Sequence, residues 1–255
     1  MLDMKSRYVL LLVLLELARP ATAQILTSVD SIMVVRGIVE LRTDRSDSAS
    51  HWVVFLPAPV TVKNLKTNTV TLAGGERVAG RFVDRYVEVQ GRVAVEQDAA
   101  GRTSAIANEP RIREIHPAGM VEQDVDLSVS QHATVQLAVV PQAAVWRDRA
   151  GEPSGVTPTV LFSIANHSQT ELRFFFPTNE VVCLRVRSDA GGGHELTWKV
   201  SGPDQLVTLR MGSVFRQILP IPNTMAAFVG RYAVRAALCG ADAFHAEATF
   251  DILAP

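Results

Sequence analysis

The chain has 255 residues with 25 basic and 26 acidic side chains, which gives a formal net charge of −1 at pH 7. A charge this close to zero argues against the clustered Lys and Arg that bind a nucleic-acid backbone, so we expect no nucleic-acid partner. The length exceeds the usual size of one domain and allows two domains, each with its own core.

The first 23 residues have the order of a secretory signal peptide. Lys5 and Arg7 precede an apolar run over residues 8–15, and small residues end the segment at Ala23. The run is shorter than the roughly 20 residues that span a bilayer, and no later apolar segment reaches that length. We therefore expect cleavage to leave residues 24–255 without an integral membrane segment, in the periplasm or the extracellular medium.

Strand patterns dominate the rest of the chain. Residues 32–41, 52–56 and 86–93 are runs of β-branched and aromatic residues between turn formers, and only residues 72–83 suggest a short helix. These patterns predict an all-β fold.

A break of small residues at 117–119 predicts a boundary between two domains, residues 24–120 and residues 121–255. In the second domain, seven or eight short strands follow one another at a spacing of about 8–12 residues, which is typical of a β-sandwich. Alternation predicts the core side of two of these strands: Val160, Phe162 and Ile164 in one, and Tyr232, Val234, Ala236 and Leu238 in the other.

The two cysteines, Cys183 and Cys239, both lie beyond the predicted signal peptide. In an oxidising compartment such a pair is read as one disulfide. Cys183 alternates with Arg185 and Arg187, on the wetter face of its strand. We therefore expect the bond to join neighbouring strands within one sheet.

The second domain resembles the bacterial BsuPI family, which is named for an intracellular proteinase inhibitor and has an immunoglobulin-like β-sandwich. Several motifs carry the resemblance in order over about 120 residues: Asn166-His167-Ser168, Glu171-Leu172-Arg173-Phe174, residues 183–191, Trp198, Phe215-Arg216-Gln217 and residues 230–235. The resemblance implies an immunoglobulin-like sandwich over residues 121–255 and raises proteinase inhibition as a function.

The first domain is similar to small bacterial OB-like barrels, through residues 35–39, 51–55 and 87–93. Such barrels bind oligonucleotides or oligosaccharides on their central strands. Trp52 and Phe55 are therefore the candidate binding face of the barrel. A closed barrel that serves as a spacer or docking unit is the preferred interpretation of this domain.

Motifs for catalysis or metal binding are missing from the sequence. The six histidines show no metal-ligand spacing, the carboxylates are not paired in a recognisable cleft pattern, and no Gly-x-Ser-x-Gly motif is present. The sequence therefore predicts a protein that is not an enzyme and has no cofactor.

A candidate partner loop consists of Ile218, Leu219, Pro220, Ile221 and Pro222, because its prolines and apolar side chains suit a stiff loop that fills protease subsites. Ordinary loops and strand edges have a similar composition.

The preferred hypothesis is an exported, non-enzymatic interaction module with a protein partner, built from an OB-like barrel and an immunoglobulin-like sandwich. A proteinase inhibitor acting through the second domain and an envelope structural or carbohydrate-binding protein are the alternatives, and the oligomeric state stays open.

Overall fold

The structure, a computed structural model, is almost entirely β. It describes the following residues: 25–26, 32–43, 50–74, 76–97, 101–128, 131–147, 153–176, 178, 180–189, 196–201 and 206–255. The predicted signal peptide, residues 1–23, lies outside the described residues. Among the described residues, no helix is long and apolar enough to cross a membrane.

Six strands and one helical turn form the first unit. The strands are β1 (Ile25–Leu26), β2 (Ile32–Thr43), β3 (Ser50–Val62), β4 (Leu65–Ala73), β5 (Tyr86–Gln97) and β6 (Thr103–Glu114). The predicted short helix is present as α1 (Glu76–Ala79), which continues into a 3₁₀ turn (Gly80–Phe82).

Five of these strands close into a barrel in the order β2-β3-β4-β6-β5, and β1 pairs in parallel with β3. All neighbours in the barrel are antiparallel except β4 and β6. Gly37 lies where β2 passes from β5 to β3, and a Cβ atom there would lie 2.2 Å from the Phe55 carbonyl oxygen. Only glycine permits this close approach. The barrel confirms the expected OB-like half of the fold.

Eleven further strands form the second unit. They are β7 (Val121–Ser128), β8 (Gln131–Val140), β9 (Ala143–Ala144), β10 (Thr159–Asn166), β11 (Leu172–Phe175), β12 (Glu180–Ser188), β13 (Leu196–Ser201), β14 (Leu206–Leu209), β15 (Val214–Pro220), β16 (Gly230–Leu238) and β17 (Ala241–Ile252).

These strands form the two sheets of a sandwich, β15-β10-β8-β7 and β13-β12-β16-β17-β9, together with a two-stranded ribbon, β11-β14. The chain changes sheets between β8 and β9, because β9 pairs in parallel with β17. Phe162, Leu184 and Phe250 are almost fully buried between the sheets. The predicted core sides of β10 and β16 are confirmed, since all of their seven residues are buried.

The barrel and the sandwich have separate hydrophobic cores. The barrel cluster contains residues between Met33 and Ala107, and the sandwich cluster contains residues between Val125 and Ile252. The predicted boundary at residues 117–119 falls between the two clusters. The units also touch, since the Thr157 N–H donates to the Pro57 carbonyl at 2.8 Å.

The Sγ atoms of Cys183 and Cys239 lie 2.12 Å apart, at disulfide-bonding distance. Cys183 belongs to β12, and Cys239 directly follows β16, the antiparallel neighbour of β12. The predicted link within one sheet is therefore confirmed.

Candidate functional site: a tethered apolar loop

The predicted partner segment does not form an exposed loop. Ile218, Leu219 and Pro220 are the last residues of β15, where they pair with β10. Leu219 and Ile221 are only 2% and 1% exposed, because their side chains point into the sandwich core. The prediction of an exposed loop at residues 218–222 was therefore wrong. Ile221 and the exposed Pro220 and Pro222 instead line a groove of 510 Å³ beside Trp146.

The exposed apolar segment lies a few residues further along, in residues 222–229 between β15 and β16. We call this segment the tethered loop. Phe228 is 77% exposed and Val229 is 63% exposed, and Phe228 is the most exposed large hydrophobic side chain in the described part of the chain.

Backbone hydrogen bonds hold the tethered loop at several points. The Met225 N–H donates to the Pro222 carbonyl at 2.9 Å. The Trp146 indole N–H donates to the carbonyl of the fully buried Ala226. The Phe228 N–H donates to the Tyr232 hydroxyl at 3.0 Å, and that hydroxyl donates to the Phe228 carbonyl at 2.8 Å. The backbone is therefore fixed directly beneath the exposed side chains.

Tyr232 can act as this anchor because its ring is locked in the core. It is 4% exposed and stacks on Phe250 with ring centroids 5.4 Å apart. In immunoglobulin-like sandwiches, a tyrosine near the start of this strand bonds back to the backbone a few residues upstream. That contact uses only the main chain of residue 228. The fold therefore does not require apolar side chains at positions 228 and 229.

Sequence reasoning missed this site for a definable reason. It placed Tyr232 on the core side of its strand, which is correct, but the phenolic oxygen was assigned no partner. A buried tyrosine needs a hydrogen-bond partner for its hydroxyl. The sequence signal for this hydrogen bond was the position of Tyr232 near the start of β16, shortly after the apolar pair Phe228 and Val229.

The candidate barrel face, Trp52 and Phe55, is not one face. The two residues lie three positions apart in β3, so their side chains point to opposite sides of the strand. Trp52 packs against the barrel core, whereas Phe55 lies outside it, with the Arg42 guanidinium 5.7 Å from its ring centroid. The structure therefore does not bring the two rings together, and the prediction of a shared binding face was wrong.

A cleft between the barrel and strands β10 and β15 also combines charged groups, among them Asp84 and Arg216. Burial raises the pKa of Asp84 and lowers the pKa of Arg216 across this cleft. The volume of this open cleft is 80 Å³, well below the roughly 300–1,000 Å³ of small-molecule sites. It can hold a few water molecules, and we assign it no ligand.

Among the described residues, no group of three or more His, Cys, Asp or Glu side chains could hold a metal ion. No family model matches the chain, and no curated protein matches it.

Proposed function

We propose that this chain is an exported, non-enzymatic protein-binding module that inserts Phe228 and Val229 into an apolar pocket of a partner protein. The observation that carries the proposal is the contrast at residue 228, whose side chain is 77% exposed while its backbone N–H and carbonyl are both held by Tyr232. Aromatic side chains, Phe among them, are enriched in the buried centre of protein interfaces.

The energetics favour such a loop as a binding element. Full burial of a Phe side chain contributes about 1.5–3 kcal/mol. Ordering a mobile backbone costs roughly 1–2 kcal/mol per residue on binding, and most of this cost is absent where the backbone is already fixed. The tethers on Ala226 and Phe228 thus leave more of the burial energy available for affinity.

A protein pocket suits the loop better than a membrane surface. Loops and helices that lie in a membrane interface combine apolar residues with Lys and Arg that attract lipid headgroups. The tethered loop itself contains neither, and the neighbouring Arg231 is paired with Asp251, with Nε and Oδ1 3.0 Å apart.

The same geometry bears on proteinase inhibition, the alternative raised by sequence. A loop that mimics a substrate must offer its own backbone N–H and carbonyl groups to the protease. At Phe228 both groups already bond to Tyr232. Insertion of the side chain therefore fits this loop better than substrate-like binding.

Two features support export. The N-terminal sequence has the order of a signal peptide. Cys183 and Cys239 lie at disulfide-bonding distance, and such bonds persist in oxidising compartments.

Site-specific photo-crosslinking tests the proposal. A photoreactive benzoylphenylalanine replaces Phe228 in the full chain, expressed in the organism that makes it. The control carries the same group at Phe175, which is 67% exposed. Phe175 lies near the other end of the sandwich, because its neighbour Phe174 packs on Phe244 whereas Tyr232 packs on Phe250.

We expect a discrete protein adduct from position 228 that is absent from position 175. Identical adducts from both positions, or none from position 228, would contradict the proposal.

A further inference from the structure

A second surface lies on the outside of the barrel, where β2, β5 and β6 are neighbours. Alternate residues of these strands, such as Val35 and Val89, are buried in the barrel core, so the residues between them face away from it. One row across the three strands consists of Arg36, Glu88 and Arg113. Both arginines pair with Glu88, at 3.0 Å and 2.6 Å, so two guanidinium groups share one carboxylate.

Two further rows add unpaired arginines and aliphatic side chains. Register places Val34 opposite Gln90 and Gln90 opposite Arg111, and it places Ile32 opposite Arg92. Ile32 is 60% exposed and Val34 is 42% exposed. Arg92 and Arg111 are exposed, and neither side chain makes an ion pair or a hydrogen bond with the residues that the structure describes. We call these three rows the basic face.

The basic face concentrates positive charge on a chain whose formal net charge is only −1. Its eight positions carry four arginines and one carboxylate, which gives them a formal charge of +3. Glu109, two residues before Arg111 on β6, reduces this charge to +2 if it is counted. The composition does not reveal the cluster, because its arginines come from three strands that are distant in sequence.

We propose that the basic face docks the protein onto a membrane surface that contains anionic phospholipids. Ile32 and Val34 supply exposed aliphatic groups, and Arg92 and Arg111 supply cations that no described carboxylate neutralises. Amphipathic helices bind membrane surfaces through the same combination, in which apolar side chains enter the headgroup region and Lys or Arg attract anionic lipids. These forces do not depend on the secondary structure that presents the side chains. Guanidinium groups also bind phosphate oxygens through two parallel hydrogen bonds.

A lipid surface fits the basic face better than a nucleic acid does. Proteins that bind single strands use aromatic side chains on which the bases stack, and the eight positions of the basic face include no aromatic residue. A duplex offers phosphates but no apolar layer for Ile32 and Val34. The face is also part of the convex outside of a closed barrel, and mobile lipids can arrange themselves around such a surface.

The inference is independent of the tethered loop, because it rests on residues of the barrel. Its test is co-sedimentation of the chain, purified as the expressing organism processes it, with vesicles of equimolar phosphatidylglycerol and phosphatidylcholine. Vesicles of phosphatidylcholine alone are the lipid control. Arg210→Gln and Met211→Ser are the matched control variants, because both residues are exposed on the sandwich. Any other lipid-binding segment contributes equally to wild type and to every variant, so the differences between them report on the basic face.

We expect the protein to sediment with the mixed vesicles at low salt and to bind phosphatidylcholine alone about tenfold more weakly or less. Arg92→Gln and Arg111→Gln should each lower the partition coefficient about fivefold, the contribution of one arginine near an anionic surface. Ile32→Ser should lower it about threefold, because the aliphatic group no longer enters the headgroup region. The two control variants should partition like wild type. Phe228→Ala should do so too, which separates this inference from the proposed function.

Three results would overturn the proposal: equal binding to both kinds of vesicle, equal losses with Arg92→Gln and Arg210→Gln, or no binding to the mixed vesicles at low salt. A thymidine oligonucleotide tests the other class of polyanion. If it bound the protein more tightly than the vesicles do, and if Arg92→Gln but not Ile32→Ser weakened that binding, the basic face would be assigned to nucleic acid instead.

Discussion

The hydroxyl of Tyr232 closes a two-way hydrogen-bond contact with the backbone of Phe228, accepting from its N–H at 3.0 Å and donating to its carbonyl at 2.8 Å. One oxygen atom thereby links the sandwich core to the most exposed hydrophobic side chain that the structure describes. Stability and partner binding should therefore both depend on Tyr232.

Removing this hydroxyl tests the tether. We expect Tyr232→Phe to lower the free energy of unfolding by about 2 kcal/mol, since two hydrogen bonds of about 1 kcal/mol each are lost. Amide hydrogen exchange at Phe228 should accelerate as well. Tyr86→Phe is the matched control, because Tyr86 is half-buried and its hydroxyl makes no hydrogen bond with the described residues. If denaturant unfolding gave the two variants equal stability, the Tyr232 hydroxyl would not stabilise the backbone of Phe228.

The cysteine pair makes a separate prediction about stability. The two residues are 56 positions apart, and cross-linking a loop of that length stabilises by about 4 kcal/mol on the chain-entropy model. Replacing both Cys183 and Cys239 with Ser should reduce the denaturant midpoint accordingly, without changing the β-rich circular dichroism spectrum at low denaturant. Two titratable thiols in denatured, unreduced protein would show that the bond does not form.

Trp52 should behave as a core residue rather than as a ligand platform. It is only partly buried against the barrel core, so we expect Trp52→Ala to destabilise the protein by about 2 kcal/mol, less than the roughly 3–5 kcal/mol for fully buried aromatics. Phe55→Ala, on the other side of β3, should cost about 1 kcal/mol. Thermal unfolding and glycan-array binding should be measured on both variants. Loss of glycan binding by Trp52→Ala at unchanged stability would instead support a carbohydrate site.

Glu88 gives the barrel a pH-dependent contribution. Hydrogen bonds from Arg113 and then Arg36, on the two neighbouring strands, hold the pKa of Glu88 below its ordinary value of 4.5. A lowered folded-state pKa adds stability above the unfolded-state value, and this stability is lost as the pH falls through the lower folded-state value. The difference in Tm between wild type and Glu88→Gln should therefore be largest above pH 4.5 and should close in stronger acid.

Glu96→Gln is the control for this experiment, because Glu96 lies on the same strand and makes no ion pair with the described residues. Its Tm should follow that of wild type at every pH. A constant difference in Tm between wild type and Glu88→Gln across the whole pH range would contradict the pH-dependent contribution of Glu88.

Local patterns were sufficient to predict the fold class. Alternation in β10 and β16 predicted the buried faces, and the spacing of strands predicted the sandwich. Tertiary context decided the rest. Pro220 and Pro222 favoured a loop. However, Ile221 between the two prolines and Leu219 just before them both face the core. Trp52 and Phe55 were grouped by composition, although the two-residue period of a strand separates them.

The functional loop was harder to predict than the fold, because its defining contact joins a side chain to a backbone. Hydrophobic pattern marks Phe228 and Val229 as possible strand residues. Only the position of the Tyr232 hydroxyl explains why they stay outside the core and yet have a fixed backbone.

The central claim is that Phe228 is the anchor of a protein interface. The most direct measurement is the affinity of the full chain for the protein crosslinked at position 228, compared between wild type, Phe228→Ala and Phe175→Ala. Both substitutions remove an aromatic ring of similar exposure, so neither should change stability by more than about 0.5 kcal/mol. We predict that Phe228→Ala weakens binding by about 30-fold or more, the effect of an interface hot spot, while Phe175→Ala binds like wild type. Unchanged affinity for Phe228→Ala, or equal losses for both variants, would contradict the account.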